Sequence, residues 1–357
     1  MYLTHLSLTN FRIFSRLDED IAREPLAVSR IKATYIRGNQ EHHLELRIIQ
    51  DTSSNGNNHI RKEVLLDGRK RKLNSVVGHF NAVLFLPHML EVITGAPSQR
   101  RQYLDLALAQ VVPQYSSTLS DYNKAIRQRN ALLKQLKERG GDSEQLAYWD
   151  EKTTQTGAKI IHARIQALRE IENQAATIHH DLTRGKEILR LRYQPAYEPL
   201  PTPPGQFSLP LEIPVDRSGL SLEEIQSGFR ENLLKLRKEE IVRGVTTIGP
   251  HRDDLHFLEN GIDLGIYGSR GQVRTALLAL KMAEVAWMKE KTGHWPVLLL
   301  DEILAELDDT RRQDLLERLS QTEQALLSTT DLDLFTLEFI KTSTQWYIEE
   351  GRMRSEK

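Results

Sequence analysis

Cysteine is absent from all 357 residues, which excludes disulfides, thiolate metal centres and cysteine nucleophiles and fits a reducing compartment. Long apolar runs are missing too. Even Val297 to Leu300 runs straight into Asp301, and no run approaches the roughly 18 to 20 residues a membrane span needs. Residues 1–20 mix His5, Asn10, Arg12 and Arg16 among their apolar positions and lack the apolar core of a signal peptide. The expectation is a soluble, cytoplasmic protein with no membrane partner. Neither charge dominates: 48 Lys and Arg stand against 49 Asp and Glu, so no net field draws nucleic acid and any DNA contact must come from a local basic patch. The 12 histidines show no ligand spacing: His42 and His43 on a strand face opposite ways, and His179 and His180 on a helix lie about 100° apart. No structural zinc is assigned.

What is present divides by period. The first 95 residues read as strands: Tyr2, Leu6 and Leu8, then Ala27 to Tyr35, His43 to Ile49 and Val64 to Leu66 alternate loosely with polar positions. Asp67-Gly68 signals a hairpin, and Asn55-Gly56-Asn57-Asn58 a second turn, which predicts an antiparallel meander. Ala82 to Leu86 is a short apolar strand stopped by Pro87. From Ser98 the spacing turns helical. Leu119, Tyr122, Ile126, Leu133 and Leu136 form one stripe, and Ile161, Ile165, Leu168, Ala175, Ile178 and Leu182 another, with Gly140-Gly141-Asp142 breaking the chain between them. They predict a helical hairpin or small bundle projecting as an arm. Seven prolines in Pro195 to Pro214 return the chain as loop. Leu220 to Arg243 is helical again, capped by Ser221 with Glu223 and Glu224 in the first turn. Strand and turn character resumes at Val245 to Ile248 and Leu255 to Leu258. The fold class expected is α/β: a sheet-rich body interrupted by a helical insertion.

The chemistry concentrates in the carboxy-terminal third. Val297-Leu298-Leu299-Leu300-Asp301-Glu302 is a buried-strand run ending in two carboxylates, the pattern called Walker B, which sets Asp301 to hold magnesium and Glu302 to polarise an attacking water. Such a strand end is common by itself; its neighbours give it meaning. Leu307-Asp308-Asp309 follows in the position of a D-loop. Upstream, Gly268-Ser269-Arg270-Gly271-Gln272 opens a helix from Val273 to about Lys289, with Ser269 as cap, and a helix start bearing glycine is an anion site. Downstream, Ala325 to Leu327 ends in Ser328-Thr329-Thr330-Asp331. Thr329 or Thr330 there either senses a terminal phosphate or caps a strand end. Signature, Walker B, D-loop and switch thus stand in the order found in ABC-type ATPases.

Narrower still, Tyr2-Leu3 through Asn10-Phe11-Arg12, Gly95 to Asp105 with Pro97, Arg100, Arg101 and Leu104, and Gly249-Pro250-His251-Arg252-Asp253-Asp254 resemble the RecF family. Ser269-Arg270-Gly271-Gln272 separates it from transporter heads, and the insertion is too short for a Rad50- or SMC-type coiled coil. The resemblance implies an ABC-type head in residues 1–105 and 245–357 and a helical arm in 106–244. It further implies a weak ATPase that dimerises with ATP and Mg2+, binds single- and double-stranded DNA, works with RecO and RecR at gaps, and serves replication and the SOS response. The site residues it implies are Glu302 as catalytic residue, and Asp301, Ser269, Gly271, Gln272, Asp308 and Thr330 around nucleotide and magnesium.

One part is missing. A phosphate-binding loop needs Gly-x-x-x-x-Gly-Lys followed by Ser or Thr, and the chain has none: Gly185-Lys186 is followed by Glu187 within a predicted helical region. In the family that loop follows the first strand, where Arg16-Leu17-Asp18 here passes at Asp20 to Ala22 into Arg23-Glu24-Pro25. An internal deletion, a faulty gene model and a degenerate homologue are the three explanations. Weak or absent ATP binding is expected, and the alternative function is a non-catalytic scaffold for DNA or repair partners. The densest basic run, Arg69-Lys70-Arg71-Lys72, is the candidate DNA contact.

Overall fold

The computed structural model describes residues 1–9, 28–52, 58–200, 215–349 and 352–355. The Asn10-Phe11-Arg12 stretch, the Asp20 to Ala22 junction, most of the Asn55 to Asn58 turn and residues 201–214 of the proline-rich return lie outside them. Leaving single-turn helices unnumbered, the principal elements in chain order are β1 (Tyr2–Thr9), β2 (Val28–Arg37), β3 (Gln40–Thr52), β4 (Asn58–Leu66), β5 (Arg69–Arg71), β6 (Ala82–Phe85), α1 (Pro97–Val111), α2 (Tyr115–Arg139), α3 (Ala147–Leu182), β7 (Leu189–Gln194), α4 (Leu222–Arg243), β8 (Asp254–Glu259), β9 (Ile262–Asp263), α5 (Arg270–Thr292), β10 (Val297–Asp301), α6 (Asp309–Ser320) and β11 (Ala325–Ser328). They fall into two compact units, residues 1–87 with 288–357, and residues 88–287.

In the first unit, β1 to β5 form an antiparallel meander in sequence order, as the alternation predicts. Two-residue turns set the register. Asp67 and Gly68 both have positive φ (51° and 74°) between Leu66 and its partner Arg69, the geometry whose twist matches a hairpin. Gly38 and Asn39 do the same between β2 and β3, at φ 56° and 63°. A separate three-stranded parallel sheet has the order β11-β10-β6. Its middle strand buries Val297, Leu298 and Leu300, because a strand flanked on both edges and covered on both faces has no place for polar side chains. Tyr35, from the meander, shares a core cluster with Val297. The fold class is therefore α/β with an antiparallel meander, the antiparallel and parallel strands forming distinct hydrogen-bonded sheets.

In the second unit α2, α3 and α4 pack on one another. Gly140 ends α2 at φ 68°, and the Ser221 hydroxyl accepts from the Glu224 amide at the start of α4 while the Glu224 carboxylate accepts from the Ser221 amide, a reciprocal cap. Between the helices Arg129 is wholly buried, 2.7 Å from both Asp150 and Glu240 and donating to Thr246 at 2.8 Å. β7, β8 and β9 form an antiparallel sheet.

Two local expectations are corrected here. Val245 to Ile248, expected to carry strand and turn character, is irregular and forms no strand, because side chains take its backbone donors: Thr246 N–H binds Asn130 Oδ1 at 2.8 Å, and Thr247 N–H binds Glu240 Oε1 at 2.6 Å. Gly185-Lys186 lies beyond the helix, which ends at Leu182; Arg184 and Gly185 turn away at φ 53° and 77°. No helix among the described residues is long and apolar enough to cross a membrane.

Candidate functional site

The strand-end carboxylates belong to the first unit. Parallel pairing sets Asp301 opposite Ser328 at the carboxyl ends of β10 and β11, where strand carbonyls and side chains face outward from the sheet edge. Asp301 is exposed and accepts a hydrogen bond from the Ser328 hydroxyl. Glu302 follows in the left-handed backbone region, φ 52° and ψ 15°. For a residue with a β-carbon that conformation is unfavourable and is found where function or packing overrides it. Six residues on, the Asp308 side chain caps α6 by accepting from the Arg311 amide at 3.0 Å. That backbone hydrogen bond, with the nearby Arg311 guanidinium, holds the Asp308 carboxyl below its usual range. Thr329 is occupied locally, accepting from Asp331 N–H at 3.1 Å and donating to Asp331 O at 2.9 Å, the work of a capping hydroxyl. Thr330 is exposed.

The signature-like turn belongs to the second unit. Ser269 and Gln272 cap α5 reciprocally: Ser269 N–H donates to Gln272 Oε1 at 2.9 Å, and Gln272 N–H to Ser269 Oγ at 3.3 Å. Ser269, Arg270 and Gly271 are exposed. The Gln272 amide also donates to Glu259, the last residue of β8, so both ends of that side chain are fixed.

Also in the second unit, two stretches far apart in sequence come together. Arg100 forks onto Asp254 at 2.7 and 2.8 Å, and Arg101 donates to the Asp253 carbonyl at 2.7 Å. Buried Arg164, from the middle of α3, donates to Pro250 O at 2.7 Å, to Asp253 at 3.1 Å and to Asp105 at 2.8 Å. Asp253 is 1% exposed and accepts also from Tyr193 O–H and from Ala196 N–H at 2.8 Å. Burial by itself would raise the Asp254 pKa, but the Arg100 fork, the Leu255 amide and nearby His256 together outweigh it and the net shift is downward. Within the same segment the Thr246 carbonyl can only accept, so His251 Nε2 carries the proton toward it at 3.4 Å. His251 Nδ1 then accepts from Tyr122 O–H at 2.6 Å. Burial pushes this imidazole down to about 4, consistent with a neutral ring. Asp253 therefore braces the Gly249 to Asp254 turn, whereas Arg252 is exposed. Arg164, which no motif marked, is the centre of the brace; its signal was a charged residue on the apolar face of α3.

Arg69, Lys70, Arg71 and Lys72 lie on and just after the edge strand β5, all exposed. Lys70 meets Glu63 at 2.5 Å.

No family model matches the chain. It is 36% identical over 287 residues to the DNA replication and repair protein RecF of an Exiguobacterium species, spanning 80% of this chain and 73% of that one. To RecF of Bacillus subtilis it is 34% identical over 337 residues, 94% of this chain and 84% of the relative. With RecF of Roseiflexus castenholzii the match is 32% over 410 residues and takes in 99% of both, a longer alignment than the chain itself, so stretches of that relative stand opposite gaps here. Two solved structures superpose on it. The first, of "the recombination mediator protein RecF-ATPrS in RecFOR pathway", does so with TM-score 0.81 and 26% identity over 99% of this chain and 98% of that one. The second, of RecF-ATP in the same pathway, has TM-score 0.78 and 28% identity over 96% and 83%. With 36% identity over 287 aligned residues, most of this chain and of that RecF relative, and the fold of solved RecF along nearly its whole length, the chain belongs to the RecF family of DNA replication and repair proteins.

Proposed function

We propose that this chain is a DNA-binding repair protein of the cytoplasm that acts with RecR and RecO at gaps, and that it has lost the phosphate half of its nucleotide site. The observation that carries the reading is the strand end itself. Asp301 offers an exposed carboxylate beside the Ser328 hydroxyl, a hard-oxygen set that fits Mg2+, and Glu302 is held beside it in a costly backbone conformation. The solved relatives are named as RecF-ATPrS and RecF-ATP. Nothing in this sequence supplies the glycine-rich amide cradle, lysine and hydroxyl that hold nucleotide phosphates. The acidic half fits and the phosphate half does not, so the chain as it stands lacks what holds a nucleotide for hydrolysis. The gapped alignment with the Roseiflexus relative supports an internal loss.

On this reading residues 1–105 and 245–357 are the ABC-type head and 106–244 the arm. Asp301 and Glu302 are the magnesium and water-polarising residues of the ancestral site, with Asp308 and Thr330 beside them. Ser269, Gly271 and Gln272 form the turn that meets nucleotide across a homodimer, a role that suits the exposure of Ser269 and Gly271. The exposed Arg69, Lys70, Arg71 and Lys72 grip DNA phosphates. A second reading, ATP-driven dimer closure on DNA, is favoured by the complete order of the later motifs and requires the missing loop.

Both readings meet the same experiment. A fluorescent ATP analogue is titrated into the chain and into a version with a restored loop, and anisotropy on a gapped duplex is followed across a salt series. We expect nucleotide binding only with the loop restored and DNA binding in both. Neutralising the four basic residues should lower DNA affinity and flatten the slope of log K against log salt by up to about 3 to 4. Tight ATP binding by the unaltered chain overturns the lost-site reading; no DNA binding at low salt overturns the repair reading.

A further inference from the structure

Three side chains that the functional reading does not use converge in the second unit. His179 lies in the last turn of α3, Glu187 in the segment that follows it, and Glu259 at the end of β8. One ligand atom from each lies within 4.8 Å of the others. His179 is fully buried, Glu259 is 2% exposed and Glu187 is half-buried. His179 Nε2 stands 3.1 Å from Glu259 Oε2.

A buried histidine beside a buried carboxylate is by itself an ordinary ion pair or hydrogen bond. The third group changes the account. One imidazole can share a proton with one carboxylate, whereas a third donor converging on the same low-dielectric spot makes a ligand set that one cation can bridge. A divalent cation balances two carboxylates at once. We propose that His179, Glu187 and Glu259 form a binding site for one divalent transition-metal ion, with zinc the ion that the donors fit best. An imidazole nitrogen with two carboxylate oxygens is a borderline set that suits Zn2+, whereas Mg2+ and Ca2+ call for oxygen alone. Bonds of about 2.1 Å in tetrahedral geometry put donors about 3.5 Å apart, a spacing of the same order as the separations of these three atoms.

The surroundings are built as metal sites are. Ligating carboxylates are commonly oriented by a hydrogen bond on the oxygen that does not face the ion. Glu259 has that bond, since its Oε1 accepts from the Gln272 amide while Oε2 faces the histidine. The Glu187 amide is held to the Thr183 hydroxyl at 3.3 Å, and the same hydroxyl donates to the His179 carbonyl at 2.9 Å. Thr183 thus ties the segment carrying one ligand to the helix turn carrying another. Because Gln272 also completes the Ser269 cap, the ion would lock the end of the long arm helix to the signature-like turn through a single carboxylate.

The test is a titration of tag-free full-length protein with Zn2+ against a chelator of known affinity, repeated with Co2+ to read the visible absorption of a low-coordinate site. One equivalent should bind, with a Co2+ spectrum in the visible, and millimolar Mg2+ should not compete. Glu187→Gln, on the least buried ligand, should weaken Zn2+ at least tenfold while leaving the far-UV spectrum unchanged. His179→Gln and Glu259→Gln should abolish the site. Absence of stoichiometric binding, or binding untouched by Glu187→Gln in a folded variant, overturns the proposal. It stands apart from the DNA and nucleotide readings, which this titration does not measure.

Discussion

The two units handle charge in opposite ways. In the second, Arg129, Arg164, Asp150, Asp253 and Glu240 are all at most 3% exposed and meet opposite charges within hydrogen-bond distance. In the first, the carboxylate of Asp301 sits exposed at the end of a parallel strand, with a serine hydroxyl for company. Buried charge is tolerable only when paired, and once paired it fixes geometry. An exposed acid at a strand end has no such duty and is free to meet a ligand. Placement of charge therefore separates a unit whose buried pairs hold shape from one that leaves a strand-end carboxylate open to solvent.

The division is tested most severely at Arg164. Replacing it with Met fills similar space but takes away the guanidinium that meets both buried Asp253 and Asp105, leaving them neutral donors only. Loss of one member of a buried pair costs about 3–5 kcal/mol, and the urea midpoint should fall accordingly. Asp301→Asn, by contrast, should leave that midpoint in place. Equal losses from both would erase the distinction.

Acid sharpens it further at His251. Its pKa lies at about 4 in the fold against an ordinary 6.5, so the unfolded chain binds the extra proton more readily. The resulting stability is complete above pH 6.5 and drains away as pH falls from there through 4. By linkage the loss by pH 4 is about 3 kcal/mol. His251→Gln should show a correspondingly shallower decline in urea stability between pH 7 and pH 4. A variant as acid-sensitive as the parent would remove His251 from the account.

Gly249, two residues earlier, tests the same turn without charge. Its φ is 119°, and a β-carbon there would lie 2.5 Å from Tyr122 Oη and 2.8 Å from Phe229 Cζ. Gly249→Ala should cost about 2 kcal/mol from overpacking alone, read as a lowered thermal midpoint.

What the sequence revealed follows from range. Period-2 and helical stripes, the Asp67-Gly68 turn, the Gly140 break and the Ser221 cap are local, and each stands where its residues predict. The buried run of β10 was legible because a strand covered on both faces must be apolar throughout. Val245 to Ile248 misled because Asn130 and Glu240, distant in sequence, claim its amides. Arg164 showed only as a charge on an apolar helix face, its partners out of sight, and the His179 cluster was invisible for the same reason: Glu259 stands far along the chain from His179, and no spacing rule spans that gap. The backbone twist at Glu302 left no mark at all, since a glutamate after a strand has many ways to turn.

That twist gives the smallest effect and the most pointed one. A residue with a β-carbon at φ 52° carries about 1–2 kcal/mol of unfavourable conformation, which glycine does not. Glycine returns part of it through a more disordered unfolded chain, so Glu302→Gly should stabilise the first unit by about 0.5–1 kcal/mol. Glu302→Gln keeps the β-carbon and removes only the charge, and it should leave stability unchanged. Thermal midpoints of the two variants, measured side by side, separate backbone from charge. A gain confined to glycine means that the carboxylate is held where the chain would be more stable without it, as befits a residue kept for chemistry. Equal midpoints would mean that the strand end is as relaxed as any other turn, and its acids would lose their claim to differ from the paired charges of the other unit.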